Sequence, residues 1–133
     1  NERPTKLRGY YKYHSAPSSS TTTGFNDLKD RPDTCIVWIA LTDSSEPFEI
    51  RTNPSNRQLF DPEAPDVIAY GKFQSGTDRE QWTQFEFNLD YKATNRIPRY
   101  ILIVGSASKY GDYFTGGNGS TLYLDDLELL YDY

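Results

Sequence analysis

The side chains best able to do chemistry crowd into residues 105–131, GSASKYGDYFTGGNGSTLYLDDLELLY. Tyr110, Asp112 and Tyr113 alternate rings with a carboxylate inside a loop carrying Gly105, Gly111, Gly116, Gly117 and Gly119. Flat rings on a tight loop can pack against the C–H face of a sugar, and a phenol adds a hydrogen bond at low entropic cost. Asp112 between them can accept from sugar hydroxyls. The competing reading is that some of these rings, Phe114 foremost, fold back and plug the end of the domain. Asp125 and Asp126 follow in the next apolar run, where the apolar parity changes from Leu122/Leu124 to Leu127/Leu129/Tyr131. Because side chains in a strand alternate between faces, that change predicts a β-bulge at the aspartate pair. Two uses stand for the pair. It can seed a calcium site, joined by Asp112 and loop carbonyls, or accept loop N–H groups and pin the glycine loop.

Elsewhere the candidates are fewer. Trp38 sits on the second apolar parity of CIVWIALT and Trp82 on the wet parity of its strand, so each is a possible stacking platform for a ligand, or else an edge cap or core filler. His14 is the only histidine and has no nucleophile or second ligand at motif spacing. Glu86, Asp90 and Glu128 are the acids available for glycoside hydrolysis, which needs two carboxyls flanking a bond, yet each lies on an alternating strand face where charge is ordinary solvation. GGNG is followed by a strand and not by a helix and lysine, so it is no phosphate loop. The single Cys35 precludes an internal disulfide and reads as a buried, inert thiol.

These groups need a frame, and the composition describes one. The chain has 133 residues, enough for one domain with a full core. Aromatic residues make up 15 % of it and include 11 tyrosines, which suits sheet. The net charge of −5 has both signs mixed, which is not the basic footprint of a nucleic-acid binder. No apolar run approaches the ~18 residues of a membrane helix, and no signal peptide is present. The sequence begins at Asn1-Glu2 without a methionine and is read as a fragment of a longer protein.

Period-2 patterning predicts strands over 9–14, 35–42, 47–52, 67–74, 82–91, 99–107 and 121–131, with no helical period anywhere. The expected fold is an all-β, two-sheet sandwich of Greek-key or jelly-roll type, one domain over 1–133. Its expected core holds Val37, Ile39, Phe85, Phe87, Leu89, Ile101, Ile103, Leu122 and Leu129. Residues 1–7 are a polar lead-in, SAPSSSTTTG at 15–24 is a mobile loop, and the proline-rich 53–66 reads as a crossing between sheets.

The order VWIALTD, VIAYGKF, WTQFEFNLDY and PRYILIVGSASKYGDYFTGGNGSTLYLDDLELLY is distinctive. With it the chain resembles the putative carbohydrate metabolism domain, found at the C-terminal end of Bacteroidetes surface proteins, often lipoproteins. The resemblance runs over about residues 5–131 and is densest from Ser106 to Asp126. It implies a galactose-binding-like jelly roll in a glycan-using bacterium, at the cell surface, outer membrane or periplasm. Membrane contact is expected only through a lipid anchor upstream of this sequence. It implies no catalytic set. The leading expectation is a non-catalytic glycan-binding or glycan-associated module. The alternatives are a structural domain that contacts another surface protein, or a glycosidase. No cofactor is expected beyond the calcium already mentioned. If the loop rings do not bind a glycan, the face carrying Trp38 is the next place to look.

Overall fold

A computed structural model describes residues 3–113 and 115–132; Phe114, expected as a plug, lies outside the described residues. Seven strands are found among them: β1 (Pro4–His14), β2 (Cys35–Thr42), β3 (Val67–Ser75), β4 (Arg79–Asn88), β5 (Asp90–Tyr91), β6 (Tyr100–Ser106) and β7 (Thr121–Tyr131). They form two antiparallel sheets, one ordered β4-β1-β7 and one ordered β5-β3-β2-β6, so the expected all-β sandwich is what the chain adopts.

Alternation explains the core. On β2, Cys35, Val37, Ile39 and Leu41 point inward and are buried. They meet Leu7, Tyr11 and Tyr13 of β1 and Phe85 of β4 from the other sheet. Phe87, Leu122 and Leu129 pack against that core while half-buried. Burial also pushes the Cys35 thiol up from its ordinary range, as an inert thiol requires.

The bulge forms where the parity change places it. Arg8 pairs with Glu128 and Tyr10 with Asp125, so Gly9 alone faces Asp126 and Leu127. Asp126 takes φ 52°, the left-handed region used by a G1-type bulge. A Cβ at Gly9 would lie 2.7 Å from Leu127 Cδ2 and 2.9 Å from Phe85 Cζ. Glycine there leaves room for the Leu127 and Phe85 side chains.

Four expectations need correction. The lead-in is shorter than read, because β1 starts at Pro4 and its first residues pair with the end of β7. The 82–91 strand is broken at buried Leu89, where the chain steps from one sheet to the other; the alternation persists because both pieces keep a face on the same core. Residues 47–52 form no strand beyond a bridge between Arg51 and Gln58. Finally, 53–66 is not a crossing between sheets but the second part of the segment 43–66. It joins β2 to β3, which are neighbours in one sheet. The chain steps between sheets at 15–34, at the three-residue turn after Ser75, at Leu89 and at 107–120. The long segment folds back because Phe48, Ile50, Leu59 and Phe60 bury apolar surface on the outer face of the four-stranded sheet.

Ile101 and Ile103 are also corrected, from core to exposed. Their registers opposite Leu41 and Ile39 put them on the inward face of β6. The sheets pinch near Gly105, where a Cβ would lie 2.6 Å from Leu124 Cδ1. Toward Ile101 they part, and a cleft of about 280 Å³ opens beside Leu41, Ile97 and Leu129. An inward direction does not bury a side chain where the opposite sheet is absent.

Candidate functional site

The outer face of the four-stranded sheet carries Ile36 and Trp38 of β2, Tyr70 of β3, and Leu102, Val104 and Ser106 of β6, as the registers require. The folded-back segment lays Phe60 flat on Trp38, with centroids 4.7 Å apart at 19°, and brings it to 6.2 Å from Tyr70. Phe48 meets Phe60 edge-on at 5.6 Å. The glycine loop closes the other side with Ser108, Lys109, Asp112 and Tyr113. The result is a cleft of about 220 Å³ with an aromatic wall and a polar lip. Burial raises the Tyr70 phenol above its ordinary range.

Three of the five residues expected to bind ligand therefore meet here: Trp38, Asp112 and Tyr113. Tyr110 does not line this cleft. Its ring packs on Phe25 at 5.2 Å and lies under Lys109 Nζ at 5.2 Å. Phe25 also stacks on Tyr113 at 5.1 Å, while the Arg57 guanidinium lies 5.6 Å from the Tyr113 ring and links the folded-back segment to the loop. Trp82 is exposed on the outer face of the other sheet, with Lys12 Nζ 4.8 Å over its ring.

The loop's anchor is Asp33, which the sequence reading did not single out. Its Oδ2 accepts from Ser108 Oγ at 2.5 Å, the Gly117 N–H at 2.8 Å and Ser120 Oγ at 2.8 Å. Its Oδ1 accepts from the Thr34 N–H at 2.8 Å. The side chain is buried, as a fully satisfied carboxylate can be. A Cβ at Gly117 would fall 2.4 Å from the Ala16 carbonyl oxygen, so only glycine lets this backbone reach Asp33. The Ser/Thr stretch, expected to be mobile, is tied to the same loop. Ser19 and Ser20 N–H groups donate to the Gly116 carbonyl, and the Gly116 N–H donates back to the Ser20 carbonyl. Position was the one available clue to Asp33: an acid directly ahead of a strand apolar on both faces.

Tyr13 supports the same region from below. Its hydroxyl donates to the Ala107 carbonyl at 2.7 Å. Burial first, and then the nearby Asp33 charge, push its phenol up to about 12 from an ordinary value near 10. The folded state thus holds this proton more tightly than the unfolded chain. Its contribution is intact below about pH 10 and is lost as pH rises toward about 12. Melting temperature measured between these limits should fall less steeply in Tyr13→Phe than in the native chain; equal slopes would deny Tyr13 this role.

Asp125 and Asp126 lie apart from the cleft, exposed at the bulge. Asp125 Oδ1 accepts the Asp126 N–H at 2.9 Å, so the pair pins its own bulge while Asp33 pins the loop. Among the described residues, no group of three or more His, Cys, Asp or Glu is placed to hold a metal ion. Asp112, expected to join the pair in a calcium site, lines the cleft instead. Of the other acids, Glu86 and Glu128 bracket Arg8 on the outer face of the three-stranded sheet, and Asp90 is exposed in β5. Asp112 is the one acid lining the cleft among the described residues. His14 is exposed, 3.9 Å from Asp78.

Comparison with known proteins agrees with this architecture. The family model described as "Putative carbohydrate metabolism domain" matches residues 1–130. A structure described as a putative glycoside hydrolase from Bacteroides vulgatus superposes with a TM-score of 0.73 at 26 % identity, over 98 % of this chain and 53 % of that one. Another so described, from Bacteroides thetaiotaomicron, gives 0.69 at 23 % identity, over 99 % of this chain and 39 % of that one. The chain thus spans about half or less of the solved structures it resembles. No curated protein matches it.

Proposed function

The chain belongs to the putative carbohydrate metabolism domain family, and on that premise we propose that it is a non-catalytic glycan-binding module whose site is the cleft between the folded-back segment and the glycine loop. The observation that carries this reading is the pairing of Trp38, Phe60 and Tyr70 with the polar lip of Lys109, Asp112 and Tyr113. Sugars are amphipathic in the same way, with C–H faces for rings and hydroxyls for a carboxylate or phenol. The volume of about 220 Å³ is below the ~300–1,000 Å³ of drug-sized sites, which favours a terminal sugar residue over a long chain. Among the described residues Asp112 is the one acid lining the cleft, whereas glycoside hydrolysis uses two carboxyls flanking the bond. The bacterial surface or periplasmic setting belongs to the same proposal.

Isothermal titration against host and plant glycans tests it. The native chain should bind at least one with Kd near ~0.1–1 mM. Trp38→Phe should weaken that binding by a few fold, Asp112→Asn should change which glycan is preferred, and Trp82→Ala should leave binding as it was. If Trp82→Ala abolishes binding while both cleft variants bind normally, the site is on the other sheet.

A further inference from the structure

The two sheets have four edge strands, and three carry a device that discourages pairing with another chain. β4 is studded with charge, from Arg79 and Glu80 to Glu86. β7 is bulged and bears Asp125, Asp126 and Glu128. β5 is two residues long. Native edges are blunted by such charges, bulges and shortness. β6 has none of them. Its seven residues, YILIVGS, include no charge and no proline, and its one sheet partner is β2. Apolar groups cluster at this open edge, with Ile97 70 %, Ile101 47 % and Ile103 40 % exposed. Solitary exposed apolar side chains are ordinary, but a contiguous group along an unprotected edge marks an interaction surface.

We propose that β6 pairs antiparallel with β6 of a second copy of this chain, joining the two four-stranded sheets into one. The strand is self-complementary for that purpose. With the two-fold axis at Leu102, Ile101 faces the partner's Ile103, Tyr100 faces the partner's Val104, and Leu102 faces its own counterpart. Every facing pair is apolar, with β-branched or aromatic members in the outer two, the kind of cross-strand pair that stabilises sheet, and no like charges meet. The axis makes the contact isologous, so it closes as a dimer instead of growing into a fibre. Ile101 and Ile103 then pack across the axis, and the parted end of the sandwich is covered. Because the axis runs through the sheet, both outer faces, and both clefts, point the same way.

Sedimentation velocity from about 1 to about 200 µM tests this on the native chain and two variants. The native chain should dimerise within that range. Ile103→Lys, at an already exposed position, should keep the native circular dichroism and weaken dimerisation at least about tenfold. Adding Ile101→Glu to it should restore the dimer, since each new lysine then faces the partner's new glutamate. A native chain that stays monomeric throughout overturns the proposal. So does a dimer indifferent to Ile103→Lys, or a double variant no better than the single one.

Discussion

Replacing Asp33 with Ala is expected to destabilise the fold by roughly 2–4 kcal/mol and to loosen residues 107–113 and 115–120. Four donors converge on this carboxylate, two hydroxyls and two backbone N–H groups. Removing it leaves them unsatisfied in a buried setting, and an orphaned buried donor costs more than the net worth of the bond it made. Asp33→Asn should cost less. The amide oxygen can serve the three donors on Oδ2, leaving only the Thr34 N–H facing an amide NH2. Urea unfolding gives the energies, and hydrogen exchange at Lys109, Gly116 and Gly117 reports the loop. A loss under about 1 kcal/mol for Asp33→Ala, with those amides as protected as before, would show that the loop holds itself. Because Asp112 and Tyr113 ride on that loop, the Ala variant should also weaken any glycan bound in the cleft.

Phe85→Ala should cost about 3–5 kcal/mol, the usual range for truncating a buried ring. Phe85 is buried and stacks on Phe73 of the opposite sheet at 5.4 Å, meets Tyr11 edge-on at 6.0 Å, and lies 6.2 Å from Phe87. The cavity would open between the sheets, where neither can collapse without moving the other. Ile101→Ala is the informative comparison, because alternation alone puts both residues in the core. With Ile101 at the parted edge, its loss should cost about 1 kcal/mol or less in the monomer. Urea melts of the two variants at low concentration check this. An Ile101→Ala cost equal to that of Phe85→Ala would mean the sheets close over β6.

The site was legible in pieces. Trp38, Asp112 and Tyr113 were readable as ligand-facing types, because a second apolar parity on a central strand and rings in a glycine loop are local patterns. Phe25, Phe60 and Arg57 were not, since each acts across the fold on a residue far away in sequence. Phe60 in particular sits in a proline-rich stretch that looked like a route between sheets. Nothing in its composition says that it doubles back onto the sheet it left.

What the sequence determined by itself was six of the seven expected strand regions, the sandwich and the bulge. Alternation has a period of two residues, and the parity change at Asp125-Asp126 is written in five neighbouring side chains, so these features need no knowledge of what lies opposite. The tertiary structure alone decided the anchor, the cleft and the open edge. Asp33 is an anchor only because Ser108, Gly117 and Ser120 arrive 75, 84 and 87 residues later. Ile101 points inward like Ile39, yet is exposed because the sheets part at its end of β6. A strand's pattern specifies which way a side chain faces. Whether anything is there to cover it depends on the distance to the other sheet, which is a property of the whole packing.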